Sequence, residues 1–321
     1  MKKISIVVAM YNLQDKILGC LDSLHKQTNS NVEFILVNDG STDDTLKRVQ
    51  KYIKTKGDDR FKLFTKENGG LSDTRNYGLK KANGKYIWFM DGDDRIVDNA
   101  VDDLESQIEN GYDILQFNFS IESESGLSRG IESGLLENHG YNGIEFLKLQ
   151  QRNGNNFSNT VWHYLFNKNF LIENEMKFPL EYSIQEDTFF TTMCLLKAKK
   201  VGYFDKQLYL YMLNQDSVTR KADRKANNIV QSWKIYNDIE QRMLNLDVNT
   251  DFLKDDYNKR YIAMLTENFY LGNPLNFKRK DITNFFKNRN LDFKDKIKKS
   301  IYLLPASLRK SICTRIYQKY M

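Results

Sequence analysis

The chain has 321 residues, 40% apolar and 28% charged, a length that allows one large or two ordinary domains and a composition that excludes a disordered chain. Three widely spaced cysteines, Cys20, Cys194 and Cys313, exclude a disulfide framework, and no run of 18 apolar residues offers a membrane span. Net charge is +6, but eight Lys/Arg against one Asp from Lys294 to Met321 give that segment +7, so everything before it sums to −1.

The few scattered cysteines suit a reducing cytosol, and the opening "MKKISIVVAMYN" holds too short an apolar run for a signal peptide. Within it, "ISIVVA" (4–9) reads as a short strand. Ile17, Leu18, Leu21 and Leu24 place an apolar stripe on a helix over 14–26. "VEFILV" (32–37) is the next strand, followed by a helix over 41–53 with Ser41 or Thr42 as its N-cap. "FKLF" (61–64) is a strand, "LSDTRNYGLKKA" (71–82) a helix, "KYIWFM" (85–90) a strand, 97–109 a helix and "YDILQF" (112–117) a strand. This alternation predicts crossover units and an α/β fold, and strands apolar on both faces require helices on both sides of a mostly parallel sheet. The middle, 121–222, is less regular, with a helix near 143–152, and from 223 the pattern is helical. Two regions are expected, 1–222 and 223–321.

Ligands of such sheets gather beyond the carboxyl ends of the strands. The polar groups there are Tyr11-Asn12, Asn38-Asp39 and Asp91-Gly92-Asp93. Asp91 and Asp93 point the same way on an extended chain, and two such carboxylates repel unless one is protonated or a hard cation is shared between them. Mg2+ or Mn2+ suits carboxylate oxygens and substrate phosphates together. The alternative is a turn in which Asp93 or Asp94 caps the following helix. "NDGSTDDT" (38–45) is either turn chemistry or a site where Asp39 accepts from the imide N–H of a base. "ENGGLSDTRNYGL" (67–79) places a Gly-Gly turn before a helix containing Arg75, whose plainer reading is a surface salt bridge. Neither the P-loop nor the dinucleotide fingerprint is present.

In order, "SIVVAMYN", "ILVNDGSTDDT", "ENGGLSDTRNYGL", "YIWFMDGDD" and "QEDTFF" (185–190) resemble the family 2 glycosyltransferases over roughly residues 3–220, and "LYLYMLNQDSVTR" (208–220) is similar to the family's later segment. The resemblance implies the GT-A fold, a Rossmann-like mostly parallel sheet flanked by helices, here with a helical C-terminal region. It implies an inverting transfer from a nucleotide-diphosphate sugar, most often a UDP-sugar. By position, Tyr11 and Asn12 would line the nucleotide pocket and Asp39 would contact the uracil. Asn68, Gly70 and Arg75 would shape the nucleotide and phosphate site. Asp91 would contact the ribose or donor sugar, Asp93 would hold Mn2+ or Mg2+, alone or with Asp91, and Asp187, beside Glu186, would be the general base. Direct displacement needs one carboxylate to take the acceptor's proton and a cation to stabilise the departing diphosphate. Without the upstream motifs, "QEDTFF" is only a helix start with acids in its first turn. The sequence departs from the family at Ala9, often Pro; at Trp162-His163-Tyr164, often Trp-Asn-Lys; and at Met212-Leu213, near which many members carry Arg or His. Arg220 is the candidate substitute for that cation, and His163 is either an acceptor or phosphate contact or a structural residue.

A helix over 306–319 would gather Leu308, Ile312 and Ile316 on one side, with Arg309, Lys310 and Arg315 around them. That pattern suits an anionic membrane surface. The alternatives are packing on the chain's own core or on a second subunit in a homodimer. The expectation is a cytoplasmic enzyme, peripheral at the inner face of the cell membrane, that extends a polyprenyl-diphosphate-linked saccharide during surface-polysaccharide synthesis. No nucleic-acid reader motif is present. Two competing readings are a sugar nucleotidyltransferase, which has no use for Asp187, and a non-catalytic membrane-surface protein, which would tolerate loss of Asp93 and Asp187.

Overall fold

The structure, a computed structural model, describes residues 2–123, 126–130, 135–152, 160–213, 225–246, 251–287, 289 and 293–320. The chain divides into two compact units, Met1–Asn214 and Gln215–Met321. The boundary expected at 222 and residues 214–220 of the "LYLYMLNQDSVTR" segment, Arg220 among them, lie outside the described residues.

The first unit begins with β1 (Ile4–Met10), α1 (Ile17–His25), β2 (Val32–Asp39), α2 (Thr45–Lys56), β3 (Phe61–Lys66), α3 (Leu71–Lys81) and β4 (Tyr86–Asp91). Every residue of β1 and β2 is buried, as two covered faces require. β1 runs parallel to β2 from Ile4↔Val32 to Met10↔Asn38, and parallel to β4 from Ile4↔Tyr86 to Ala9↔Asp91. β3 extends the parallel set beyond β2. The carboxyl ends of β1, β2 and β4 therefore lie side by side at one edge of the sheet.

The helix expected from 41 starts instead at Thr45, with no side-chain cap. Its expected cap residues tie two loops together. The Asn12 N–H donates to Ser41 Oγ at 3.1 Å, and the Thr42 N–H donates to Asn12 Oδ1 at 2.9 Å. Tertiary hydrogen bonds to the loop after β1 have displaced the local cap.

The unit continues with β5 (Arg95–Ile96), α4 (Ala100–Ile108), β6 (Ile114–Ser123), β7 (Gly126–Arg129), α5 (Gly143–Arg152), a 3-10 turn (Val161–His163), β8 (Tyr164–Asn167), α6 (Lys168–Glu173), α7 (Glu186–Lys197) and β9 (Val201–Met212). Strand order is β3-β2-β1-β4-β8-β6-β9-β5, with β7 paired to β6. The four-residue β8 inserts antiparallel between β4 and β6, and β6 then pairs parallel with β9. The sheet is thus parallel through its first four strands and mixed beyond them. Trp88, Phe117, Trp162 and Tyr209 fill its core beneath the strand ends, with the Trp162 and Tyr209 rings stacked at 4.6 Å.

The second unit is helical: α8 (Lys225–Leu244), α9 (Asp251–Tyr270), α10 (Arg279–Phe286), α11 (Phe293–Tyr302) and α12 (Ala306–Tyr320). One face of α12 packs on α9. Tyr317 stacks on Tyr270 at 4.4 Å and its hydroxyl donates to Glu267 at 3.1 Å. Cys313 is buried, and the Arg309 guanidinium lies 4.1 Å from the Phe269 ring centre. The side carrying Leu308 is half open: Leu308 is exposed, whereas Ile312 and Ile316 are partly covered. Among the described residues no helix is long and apolar enough to cross a membrane.

Candidate active site

The sequence places its polar groups just past three buried strands, and the parallel register brings those groups together. Tyr11 and Asn12 follow β1. Tyr11 is half exposed, and Asn12 adopts φ 52°, a left-handed conformation that Asn tolerates better than most side chains. At the end of β2, buried Asp39 organises the next loop. Its Oδ1 accepts from the Gly69 N–H and its Oδ2 from the Gly70 N–H, each at 2.9 Å, and Lys66 pairs with the same carboxylate. Asn68 Nδ2 donates to the Asp39 carbonyl at 3.0 Å. Gly70 holds φ 86°, where a side chain would be strained. A carboxylate has about four lone-pair positions, so Asp39 keeps acceptor capacity for a base N–H alongside these bonds.

β4 ends in the acids. Gly92 lies against the end of β1, where an added Cβ would stand 2.9 Å from the Ala9 carbonyl oxygen and 2.8 Å from Leu13 Cδ1. Asp91 and Asp93 remain about one-third exposed, at 29% and 31%. Burial pushes the Asp93 carboxyl above its usual range and the Asp91 charge adds to the shift, while Lys16 Nζ, 3.6 Å away, opposes it.

Asp94 is different in kind. It is buried, its Oδ2 accepts from Tyr209 Oη at 2.5 Å and its Oδ1 from the Met212 N–H at 2.9 Å. Tyr209 Oη in turn accepts from the Asp91 N–H at 3.3 Å. Burial first, then the charges of Asp91 and Asp93, push Asp94 up to about 8. It staples the end of β4 to β9. Neither Asp93 nor Asp94 caps a helix, because α4 begins only at Ala100.

Among the described residues no cluster of three or more His, Cys, Asp or Glu side chains suits a metal ion. Asp91 and Asp93 are two carboxylates, each about one-third exposed, that repel each other. Such a pair fits Mg2+ or Mn2+ whose other ligands are phosphate oxygens and water.

The other side of the site comes from α7. Arg75, only 2% exposed, donates through one terminal nitrogen to Asp91 Oδ1 and through the other to Glu186 Oε1, both at 2.7 Å. Its guanidinium lies 5.3 Å from the Phe178 ring centre. Both ends of the fork are thus committed to carboxylates. Asp187 follows Glu186 in the first turn of α7 and its Oδ1 accepts from the Thr188 N–H at 2.8 Å. Burial, then the Glu186 charge, pushes Asp187 up to about 7, with Arg75 opposing and Asp91 adding to the rise. A carboxylate near neutrality is matched to accepting a proton at physiological pH. Because Arg75 bonds both Asp91 at the end of β4 and Glu186, the residue before Asp187, the strand-end acids and the start of α7 occupy one neighbourhood.

His163 is fully buried among the rings of Phe119, Trp162 and Tyr164, the structural alternative for that residue. Lys16, Lys66, Asp94, Glu186 and Tyr209 also shape the site. Nothing in the linear pattern picks out Lys16, Lys66 or Tyr209, whereas Asp94 and Glu186 adjoin residues that the motifs do mark.

The profile of Glycosyl transferase family 2 matches residues 5–174. The uncharacterized glycosyltransferase EpsJ of Bacillus subtilis (strain 168) is 34% identical over 218 residues, 67% of this chain and 62% of that protein, so this chain spans less than two thirds of that relative. The GalNAc(5)-diNAcBac-PP-undecaprenol beta-1,3-glucosyltransferase of Campylobacter jejuni is 29% identical over 276 residues, 84% of this chain and 85% of that protein. Among solved structures, S. aureus TarS 1-349 in complex with UDP-GlcNAc superposes with a TM-score of 0.71 at 21% identity, covering 98% of this chain and 89% of the other. At that identity the likeness concerns the fold.

Proposed function

The chain belongs to glycosyl transferase family 2 and has the GT-A fold, and on that premise we propose that it is an inverting enzyme moving a sugar from a UDP-sugar to a hydroxyl of a saccharide acceptor. The observation that carries this reading is the buried Arg75 fork, which ties strand-end Asp91 to Glu186 and so brings Asp187, the next residue on α7 and raised to about 7, beside the strand-end acids. In the proposed step, the acceptor oxygen bonds to the anomeric carbon as the bond from that carbon to the diphosphate oxygen breaks. Asp187, as carboxylate, takes the hydroxyl proton on the face opposite the leaving group, so configuration inverts in one displacement. Tyr11, Asn12 and Asp39 seat the nucleotide, with Asp39 accepting from the uracil imide, while Asn68 and Gly70 hold the turn beside it. Asp93 and Asp91 would hold Mn2+ or Mg2+, which when bound supplies positive charge for the departing UDP. Arg75 orients Asp91 and Glu186 in this scheme and reaches phosphate only by giving up one of them.

The catalytic work is assigned to residues 1–222. The acceptor is proposed to be a saccharide on polyprenyl diphosphate, in capsule, exopolysaccharide or cell-wall glycopolymer synthesis. The name of the Campylobacter relative, which carries an undecaprenol-linked substrate, supports that choice. A peripheral location at the inner face of the membrane is supported by residues 223–321, where Ile297 and Leu308 are half exposed among exposed Lys296, Lys310 and Arg315. The test is UDP release from a panel of UDP-sugars with a glycan acceptor, with and without Mn2+. Release from at least one donor that disappears with chelator supports the reading; release from none, or diphosphate made from UTP and a sugar phosphate, removes it.

A further inference from the structure

Between α6 and α7 the chain crosses from residue 174 to 185 without a strand or helix, so its backbone groups need partners from elsewhere. At Phe178 the partner is one side chain. Asn76 Nδ2 donates to the Phe178 carbonyl at 2.8 Å, and the Phe178 N–H donates to Asn76 Oδ1 at 2.9 Å. A carboxamide is among the few side chains able to give and take a hydrogen bond in one plane, so Asn76 acts on this loop as a neighbouring strand would.

What it holds is connected to the chemistry. The Phe178 ring, 1% exposed, stacks on Phe190 at 3.9 Å and 9°, and Phe190 lies three residues beyond Asp187 on α7. Phe89, two residues before Asp91 on β4, meets both rings edge-on, at 5.0 Å and 5.8 Å. The same Phe178 ring lies under Arg75, the neighbour of Asn76, whose guanidinium joins Asp91 to Glu186. Adjacent residues of α3 therefore brace the start of α7 in two ways, by charge through Arg75 and by backbone clasp through Asn76. Beyond the clasp, Gln185 enters α7 at φ 53°, a conformation unusual for a side chain other than Asn or Gly and one that a loose loop would not hold.

We propose that Asn76 is a positioning residue for the proton acceptor: by clasping Phe178 it sets, through the Phe178–Phe190 stack, where the first turn of α7 presents Asp187 to the acceptor hydroxyl. The proposal rests on the assignment of Asp187 as base, and it goes beyond that assignment by naming a residue that touches neither substrate nor base. The nucleotide side of α3 is held separately, by Asp39 on Gly69 and Gly70, so nucleotide binding should not depend on the clasp.

The experiment compares the full chain with Asn76→Ala, Asn76→Asp and Asp187→Asn, reading kcat as UDP release from the donor the wild type uses and Kd by calorimetric titration with UDP. Misplacement of a catalytic group by about 1 Å costs up to about 100-fold, so Asn76→Ala is expected to lower kcat about 10- to 100-fold while the Kd for UDP stays within about twofold. Asn76→Asp keeps the shape and one acceptor but sets a carboxylate oxygen against the Phe178 carbonyl in place of the donor, and should fall in the same direction. It also serves if the alanine variant does not fold, since unchanged UDP affinity certifies an intact nucleotide side. A kcat within about twofold of wild type in a variant that binds UDP normally overturns the proposal, and so does a parallel loss of UDP affinity and kcat, the mark of a general structural residue. Asp187→Asn separates the two claims. If it turns over like wild type, the base assignment fails; if it is inactive while Asn76→Ala is not, only the clasp fails.

Discussion

Replacing Arg75 by Met tests the electrostatics of the site, because it removes a buried cation while keeping a chain of similar length. Two hydrogen bonds of 2.7 Å are lost, to Glu186 and Asp91, and both carboxylates stay behind next to Asp187. Removing one partner of a buried ion pair costs about 3–5 kcal/mol. Glu186 is buried, whereas Asp91 is 29% exposed and water takes over part of its stabilisation, which moves the expected loss to the lower end, about 3 kcal/mol at pH 8. For a unit of the size of residues 1–214, each kcal/mol is worth about 2–4 °C, so its unfolding midpoint should fall by about 6–12 °C. At pH 5 the deficit should shrink, since acids that gain protons no longer need a counter-charge. Thermal unfolding followed by circular dichroism at the two pH values measures this. An equal drop at pH 5 and pH 8 would mean that Arg75 acts by packing on Phe178 alone, and a drop below about 1 kcal/mol at pH 8 would mean that the acids find other partners.

The Asp187 shift predicts that kcat/KM rises with pH through about 7 and then levels, as the base loses its proton; a profile flat from pH 5.5 to 9, measured by UDP release, contradicts the assignment. Asp94, raised to about 8 when folded against a usual value near 4, binds its proton more tightly in the native state, so its contribution to stability is greatest in acid and is lost as pH rises through about 8. Asp94→Asn has no such charge to bury. The difference in Tm between this variant and wild type, in chelator, should therefore move in the variant's favour from pH 6 to pH 9, and a constant difference would refute the burial of that charge. Gly92→Ala forces a methyl against the Ala9 carbonyl, which cannot swing away as Leu13 can; it should cost about 1–3 kcal/mol by urea unfolding and loosen Asp91 and Asp93 together, seen as a higher Mn2+ requirement.

The half of the sheet formed by β1 to β4 was legible because its strands are apolar runs bounded by polar turns, and no competing pattern obscures them. Helix starts were less so. Ser41 and Thr42 look like caps, yet they bond to Asn12, a partner some thirty residues away that local pattern does not reveal. β8 was missed for a related reason: "YLFN" is four residues long, and what makes it a strand is the gap between β4 and β6 that it fills. Of the site, Asp39, Asp91 and Asp93 could be placed from strand ends, and Asp187 from its motif. The bond between Arg75 and Glu186 spans 111 residues, and that between Tyr209 and Asp94 spans 115. No periodicity encodes such distances, so neither the two carboxylate partners of Arg75 nor the Tyr209 partner of Asp94 could be named from the sequence. The tail shows the same limit. Its amphipathic pattern was visible, but which face is covered depends on Phe269 and Tyr270 of α9.

The central claim is that Asp187 takes the acceptor's proton while leaving donor binding to the strand-end residues. Its most direct test is Asp187→Asn in the full chain, with UDP affinity and sugar transfer measured on the same preparation. The account predicts UDP affinity within about twofold of wild type and transfer reduced by at least about 100-fold, the lower bound for losing a general base. Transfer at the wild-type rate, with UDP still bound, would contradict it.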